Sequence, residues 1–304
     1  MKLISILLKR YVSAVSDMRD VLKKRVKKLL EEPQASYPLK LVRDAYKACM
    51  DTERINERKA KPLTDILTEL EVWPYGPLQN PWWQPTYDNW YDLMYKMREK
   101  VLLRNAPTFG TFDAVYFVFG VFVDFKETSR HVITMDQPGA SKISPGLGLP
   151  LEFLLMGENS ERVRKYKEVM VELLFVFGIS RHIATETADK LVKFELELAK
   201  IMKPKEERRG EESQYNLMTI RDLTNTYRNI PWMEFLTKML DRNDLTNDDN
   251  VIVGNPDYLE KLETVLEGVD LSVQVSYIIW RTIYYLHSYL HEEALEISGN
   301  SVLN

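Results

Sequence analysis

The chain has 304 residues, enough for one large domain or two modest ones. Hydrophobic residues make up 45% and charged residues 28%, the usual balance of a globular protein. The net charge is −4, with acids and bases interspersed, so composition gives no reason to expect nucleic acid as a partner.

Helical periodicity dominates the first hundred residues. Helices are predicted over 2–31, 38–58, 62–70 and 86–103. The first has a basic face opposite an apolar one, which is more typical of a solvated helix than of a phosphate-binding surface. Four prolines and three tryptophans lie between 73 and 85, which indicates an ordered loop packed by its aromatic side chains.

Two strands are predicted in the middle of the chain. Residues 115–125 are almost all β-branched or aromatic, which predicts a buried strand, and 131–135 predict a second one. The residues between them would form the turn of a hairpin. The predicted fold class is therefore mainly α, a multi-helical domain with one small β-hairpin at about 115–135.

After a loop at 138–150 the pattern is helical again. Thr219 and Asp222 have the spacing of a capping box, and Asn255 stands as a favourable N-cap before Pro256. Residues 272–296 predict a long closing helix. This helix is so rich in apolar residues that we expect part of its surface to stay exposed and to drive self-association.

The residues themselves predict no active site. His287 and His291 have metal-ligand spacing, but Leu295 stands at the second histidine position of a His-Glu-x-x-His motif that would begin at His291. We therefore expect a surface histidine pair and no metal site. Cys49 is the only cysteine, so it cannot form a disulfide within the chain, and its neighbours suggest partial burial.

Several segments, in this order, resemble the neprilysin (M13) family of zinc peptidases over about residues 10–293. They are Asp44–Asp51, Pro62 to Pro74, the hairpin followed by Asp136-Gln137-Pro138, Gly146–Pro150, Phe194–Ala199, Tyr215–Thr219, Val253–Tyr258 and Tyr277–Arg281. The resemblance departs from the family where Glu71 and Val72 replace paired glycines. It identifies residues 1–304 as a neprilysin-like N-terminal helical region.

The resemblance implies a partner that this sequence does not contain. The family's zinc motifs, His-Glu-x-x-His and Glu-x-x-x-Asp, belong to a C-terminal catalytic lobe, and neither occurs here. It also implies that Arg10 is a substrate-facing residue and that Cys49 pairs with a cysteine of the missing lobe. Zinc is the cofactor of the full-length family, and no cofactor is expected in this chain itself.

The interpretation we favour is the helical part of a zinc metalloendopeptidase that is inactive alone. Two alternatives remain open: a standalone homologue that binds peptides or proteins without cleaving them, and an intracellular helical scaffold. The sequence shows neither a signal peptide nor a membrane span, although family members are membrane-anchored or secreted ectoenzymes.

Overall fold

The computed structural model describes residues 2–32, 36–73, 76–80, 83–84, 86–100, 111–113, 115–139, 146–208 and 210–299. The chain divides into an N-terminal unit, residues 1–58, and a C-terminal unit, residues 59–304. No helix among the described residues is long and apolar enough to cross a membrane.

The N-terminal unit consists of α1 (Lys2–Glu31), α2 (Tyr37–Met50) and α3 (Thr52–Arg58). The first helix was predicted with these bounds. The predicted helix at 38–58 is wrong in one respect, because Asp51 leaves the helical conformation and divides it. The Asp51 carboxylate accepts a hydrogen bond from the backbone N–H of Arg54 at 3.2 Å, so this residue caps the start of α3.

The N-terminal unit has no buried side chain among those that the structure describes. Helices α1 and α2 contact each other, but both keep large apolar side chains in solvent. These side chains are Met18, Val21, Leu22, Val26 and Leu29 on α1 and Tyr37, Leu39, Leu41, Val42 and Met50 on α2. Exposed apolar surface of this kind marks an interaction site more often than a stable free surface.

Ten helices are described in the C-terminal unit, which confirms the mainly α fold class. They are α4 (Lys61–Glu69), α5 (Trp90–Lys100), α6 (Leu151–Leu154), α7 (Glu161–Val176), α8 (Arg181–Ile201), α9 (Ile220–Thr226), α10 (Trp232–Leu240), α11 (Pro256–Glu267), α12 (Leu271–Leu286) and α13 (Glu292–Gly299). Short 3₁₀ turns cover Lys205–Arg208, Glu211–Gln214 and His287–Tyr289.

Side chains cap several of these helices where the sequence favours it. The Thr219 hydroxyl and the Asp222 carboxylate form the predicted capping box at the start of α9. Asn255 precedes Pro256 at the start of α11 as predicted, but its side chain makes no capping hydrogen bond. That side chain is used elsewhere, as described below.

The predicted hairpin is present within a larger sheet. Strands β2 (Val118–Val123) and β3 (His131–Asp136) pair antiparallel. The sequence analysis missed β1 (Thr111–Asp113), β4 (Asn216–Thr219) and β5 (Asn250–Val253), which give the strand order β1-β2-β3-β5-β4. Strands of three or four residues are too short to show a period of two, and β5 pairs parallel to β3 from a distant part of the chain.

Strand β2 begins three residues later than predicted. Val115 has a φ of 70°, a left-handed conformation that β-branched residues rarely adopt, so the backbone cannot be extended there. Tyr116 and Phe117 follow before the strand starts, and both side chains are fully buried. They belong to an aromatic core in which Tyr116 contacts the rings of Trp90 and Tyr277.

The predicted closing helix over 272–296 is interrupted. It ends at Leu286, and the extended backbone of Leu290 separates the following 3₁₀ turn from α13. The expectation of an exposed apolar surface on this helix is also wrong for α12, where every residue from Gln274 to Ile283 is buried. Three large apolar side chains remain exposed in this stretch, those of Tyr285, Tyr289 and Leu295.

Candidate functional site

Three of the segments that resemble the M13 family meet at one buried carboxylate. Glu195, on α8, is fully buried, and its Oε1 accepts hydrogen bonds from the backbone N–H of Gly148 at 2.6 Å and from the Tyr277 hydroxyl at 2.7 Å. Burial, and then the charge of Glu195, raises the pKa of Tyr277 well above its usual range, so the hydroxyl stays protonated and donates. Glu195 thus ties the 146–150 loop to α8 and α12.

Arg281 completes this first polar network. Its Nη1 lies 3.7 Å from Glu195 Oε1, and its Nη2 donates to the carbonyl oxygen of Gly146 at 2.8 Å. Both side chains are nine-tenths or more buried. A buried ion pair is costly to break from one side, because the remaining charge is left without compensation.

Gly148 has no room for a side chain. A Cβ there would overlap the hydroxyl of Tyr166, a buried residue of α7 that accepts a hydrogen bond from Trp280 Nε1 at 2.9 Å. The loop backbone therefore lies so close to α7 that only glycine fits at position 148. Its position is fixed by contacts with three helices, α7, α8 and α12.

A second network joins the end of β3 to the segments before α11 and after α8. Gln137 is 2% exposed and exchanges hydrogen bonds with the backbone of Lys203: its Nε2 donates to the carbonyl at 2.9 Å, and its Oε1 accepts from the N–H at 3.0 Å. The same Oε1 accepts from Asn255 Nδ2 at 2.7 Å. This bond explains why Asn255 does not cap α11.

Asp136 forms an ion pair with Arg208 beside this network. Burial raises the pKa of the Asp136 carboxyl, and the positive charge of Arg208 only partly offsets that effect. A Cβ on Gly254 would overlap the Asp136 side chain, so the start of α11 also depends on a glycine. The Asp-Gln-Pro segment therefore connects the end of β3 to the segments before α11 and after α8.

Asp124 organises the turn of the hairpin. Its side chain accepts hydrogen bonds from Arg130 Nε at 2.9 Å, from the backbone N–H of Lys126 at 2.9 Å and from the Tyr215 hydroxyl at 3.0 Å. Burial raises the pKa of this carboxyl, but the hydrogen bonds outweigh burial and lower it to about 2. The ionised form is thus the one that the turn stabilises.

We expect the thermal stability of the Asp124→Asn variant to depend less on pH than that of the wild type. A folded-state pKa of about 2 lies below the unfolded value, so the contribution of the ionised carboxylate is present above that unfolded value and is lost as the pH falls through 2. Thermal unfolding from pH 7 to pH 2 measures it. The Tm difference between wild type and variant should be largest at neutral pH and vanish near pH 2. A difference that stays constant with pH would contradict the prediction.

The carboxylates of both networks and of the hairpin turn are bound by groups of the fold itself. Among the described residues, no group of three or more His, Cys, Asp or Glu side chains is placed to hold a metal ion. What the arrangement does is hold loops and helices in a fixed relative position.

The candidate residues whose side chains are described take no part in the hydrogen bonds of either network. Arg10 lies on α1, but its side chain is outside the described residues. Cys49 is exposed near the end of α2, so the expectation of partial burial is wrong. His287 and His291 are buried at the interruption between α12 and α13, which corrects the expectation of a surface pair. His287 Nδ1 lies 2.5 Å from the carbonyl oxygen of Tyr284.

We expect Cys49 to react with thiol reagents in the folded chain. The side chain is exposed, so it needs no unfolding to be reached. Titration with a chromogenic disulfide should give one thiol per chain with and without denaturant, and none in a Cys49→Ser control. Reaction only after denaturation would contradict the exposed position.

We also expect the purified chain to retain less than about 0.1 zinc per molecule after dialysis. A structural or catalytic zinc needs at least three protein ligands, and the sequence completes neither zinc motif of the M13 family. Metal analysis by mass spectrometry checks this, with a zinc-free buffer as the control. About one zinc per chain would overturn it.

The same fold occurs in solved structures, among them that of a zinc metalloprotease. The cryo-EM structure of Mycobacterium tuberculosis Zmp1 in an open state matches 93% of this chain and 40% of that protein, with a TM-score of 0.71 and 18% identity. PepO from Lactobacillus rhamnosis matches 94% of this chain and 41% of that protein, with a TM-score of 0.64 and 14% identity. These similarities concern the fold.

The sequence comparisons identify the family. The N-terminal model of peptidase family M13 matches residues 8–301, so the chain belongs to that family. Neprilysin-11 of Caenorhabditis elegans is 28% identical over 291 residues, which are 92% of this chain and 32% of that protein. Endothelin-converting enzyme 1 of Cavia porcellus is 29% identical over 250 residues. The chain spans about a third of the length of these relatives.

Proposed function

We propose that the chain is the N-terminal helical part of a neprilysin-like zinc metalloendopeptidase and that it cleaves no peptide alone. Its partner in this proposal is the zinc-bearing region of the same family, which would supply the His-Glu-x-x-His and Glu-x-x-x-Asp motifs. The observation that carries the proposal is the exposed apolar surface of α1 and α2 in a chain that matches only about a third of its relatives.

The apolar side chains of α1 and α2 are the surface for this partner. Leu22 and Val26 on α1 and Leu41 and Val42 on α2 are each about half exposed. Covering about 400 Å² of such surface would contribute on the order of 10 kcal/mol before association costs, at roughly 25 cal/mol per Å². The zinc-bearing region would be held mainly by this apolar contact.

Two further residues support the same partner. Cys49 is exposed on α2, where a cysteine of the zinc-bearing region can reach it, as the family resemblance implies. Arg10 lies on α1 and would be the substrate-facing arginine of the assembled enzyme. In the assembled enzyme zinc would activate the attacking water, and the networks around Glu195 and Gln137 would hold the helical part rigid.

The test begins with the transcript beyond the codon for Asn304. An in-frame His-Glu-x-x-His downstream is the expected result. The joined protein should then cleave a fluorogenic peptide in a chelator-sensitive manner, and the present chain alone should not. Chelator-sensitive cleavage by the purified chain would overturn the proposal. So would a stop codon in every transcript if the source also encodes no zinc-bearing M13 partner.

A further inference from the structure

A small cleft opens on the C-terminal unit between α5, α11 and the residues that precede α10. Its volume is about 290 Å³. Pockets for drug-sized ligands span roughly 300–1,000 Å³, so this one fits a single side chain better than a cofactor. Its floor is aromatic and aliphatic, formed by Trp90, Ile230, Trp232, Leu259, Leu262 and Leu266.

Two carboxylates line the cleft one helical turn apart. Glu263 Oε1 accepts from the backbone N–H of Asn229 at 2.7 Å, and Glu267 Oε1 accepts from Asn229 Nδ2 at 2.7 Å. Asn229 therefore holds one oxygen of each carboxylate. In the described part of the chain, no group donates a hydrogen bond to the second oxygen of either carboxylate. Among the described residues that line the cleft, none is a lysine, arginine or histidine.

Gln274 adds a neutral acceptor. Its side chain is 8% exposed and lines the cleft, and its Nε2 donates to the carbonyl oxygens of Leu266 at 2.9 Å and Val269 at 2.8 Å. Both amide hydrogens are used by these bonds. The Oε1 accepts no hydrogen bond from the described part of the chain. An acceptor without a protein donor at the wall of a cleft can gain a hydrogen bond from a ligand that brings a donor.

The surroundings of the cleft are negative as well. Burial raises the pKa of Glu263, the backbone N–H of Asn229 lowers it, and the charge of Glu267 raises it again. Burial also raises the pKa of Tyr91, a lining residue, and the charges of Asp92 and Glu234 raise it further. A cation in the cleft would relieve this like-charge repulsion.

We propose that this cleft binds the guanidinium group of an arginine side chain in a peptide. Guanidinium offers five N–H donors in a planar fork and no acceptor, which matches two carboxylate oxygens and the Gln274 carbonyl. Its aliphatic stem would pack on the apolar floor. This site goes beyond the proposed function, because it lies within the C-terminal unit and needs no zinc-bearing partner.

Titration with N-acetyl-arginine amide, followed by 1H–15N NMR of the full chain, tests the site. Saturable shifts are expected at the side-chain amides of Gln274 and Asn229 and at the indole N–H of Trp90. N-acetyl-citrulline amide has the same shape without the charge. We expect it to bind at least about tenfold more weakly, because charge-assisted hydrogen bonds are the stronger ones.

Two variants test whether arginine binds to the carboxylates of this cleft or to any pair of acidic residues on a helix. Glu263→Gln with Glu267→Gln keeps the oxygens that Asn229 binds but removes both charges, and it should weaken arginine binding at least about tenfold. Glu53→Gln with Glu57→Gln on α3 is the matched control, with the same spacing and charge change on an exposed helix, and should bind like wild type. Absence of shifts at 10 mM ligand, equal binding of citrulline, or unchanged affinity in the first variant would each overturn the proposal.

Discussion

Replacing Glu195 by alanine is expected to lower the free energy of unfolding by about 3–5 kcal/mol, the range for breaking a buried ion pair from one side. The change removes the acceptor for the Gly148 N–H and the Tyr277 hydroxyl and leaves Arg281 buried without its carboxylate. Urea unfolding at neutral pH, followed by circular dichroism, measures the loss. A loss of this size would place the first network among the strongest determinants of the fold.

Two variants on α8 make this result interpretable. Glu195→Gln keeps an oxygen that can accept both hydrogen bonds, so it should lose less than half as much and remains measurable if the alanine variant does not fold. Glu197→Ala removes an exposed carboxylate two residues away that pairs with Lys200, and exposed pairs contribute about 0–1 kcal/mol. If Glu195→Ala and Glu197→Ala lower the free energy of unfolding equally, the network around Glu195 does not stabilise the fold.

The isolated chain is expected to self-associate at micromolar concentration through α1 and α2. Exposed apolar side chains cover these helices, and the described N-terminal unit has no core to bury them. Burying about 400 Å² contributes on the order of 10 kcal/mol, whereas association costs about 4–15 kcal/mol, so the net attraction is modest. Light scattering across a concentration series should show an apparent mass that rises with concentration.

Substitutions locate the contact. Leu22→Gln with Val26→Gln on α1, combined with Leu41→Gln on α2, should give a monomer at every concentration. The control is Tyr285→Gln with Tyr289→Gln, which removes the two most exposed apolar side chains of the predicted closing helix. This control should associate like wild type. A wild-type monomer at high micromolar concentration contradicts the prediction, and a monomeric tyrosine variant moves the contact to the C-terminal unit.

The sequence predicted helices and strands correctly where an apolar or β-branched pattern extends over enough residues to be recognised. The hairpin and α1 fall into this group, because six or more residues repeat one chemistry. The closing helix was predicted too long, because the apolar pattern continues past Leu286 whereas the helical backbone conformation ends there. Strands β4 and β5 were missed because four residues carry little pattern, and their pairing is decided by distant segments.

The two polar networks could be recognised only in part. The family resemblance pointed to the segments that contain Gly148, Glu195 and Tyr277, but it did not show that they meet. The bond from Asn255 to Gln137 spans 118 residues, a separation that no local pattern reports. One signal was available, because Glu195 occupies the apolar face of α8 between Leu191 and Leu198, and a charged residue at such a position needs a buried partner.

The parallel pairing of β3 with β5 has a consequence for the order of folding on the ribosome. Strand β3 ends at Asp136, whereas β5 begins only at Asn250, more than a hundred residues later. At about 5–20 residues per second, the hairpin waits on the order of ten seconds for its neighbour. During that time the edge of β3 that later pairs with β5 presents unpaired backbone groups to other nascent chains. Synthesis is therefore the stage at which this sheet is most exposed to wrong pairing.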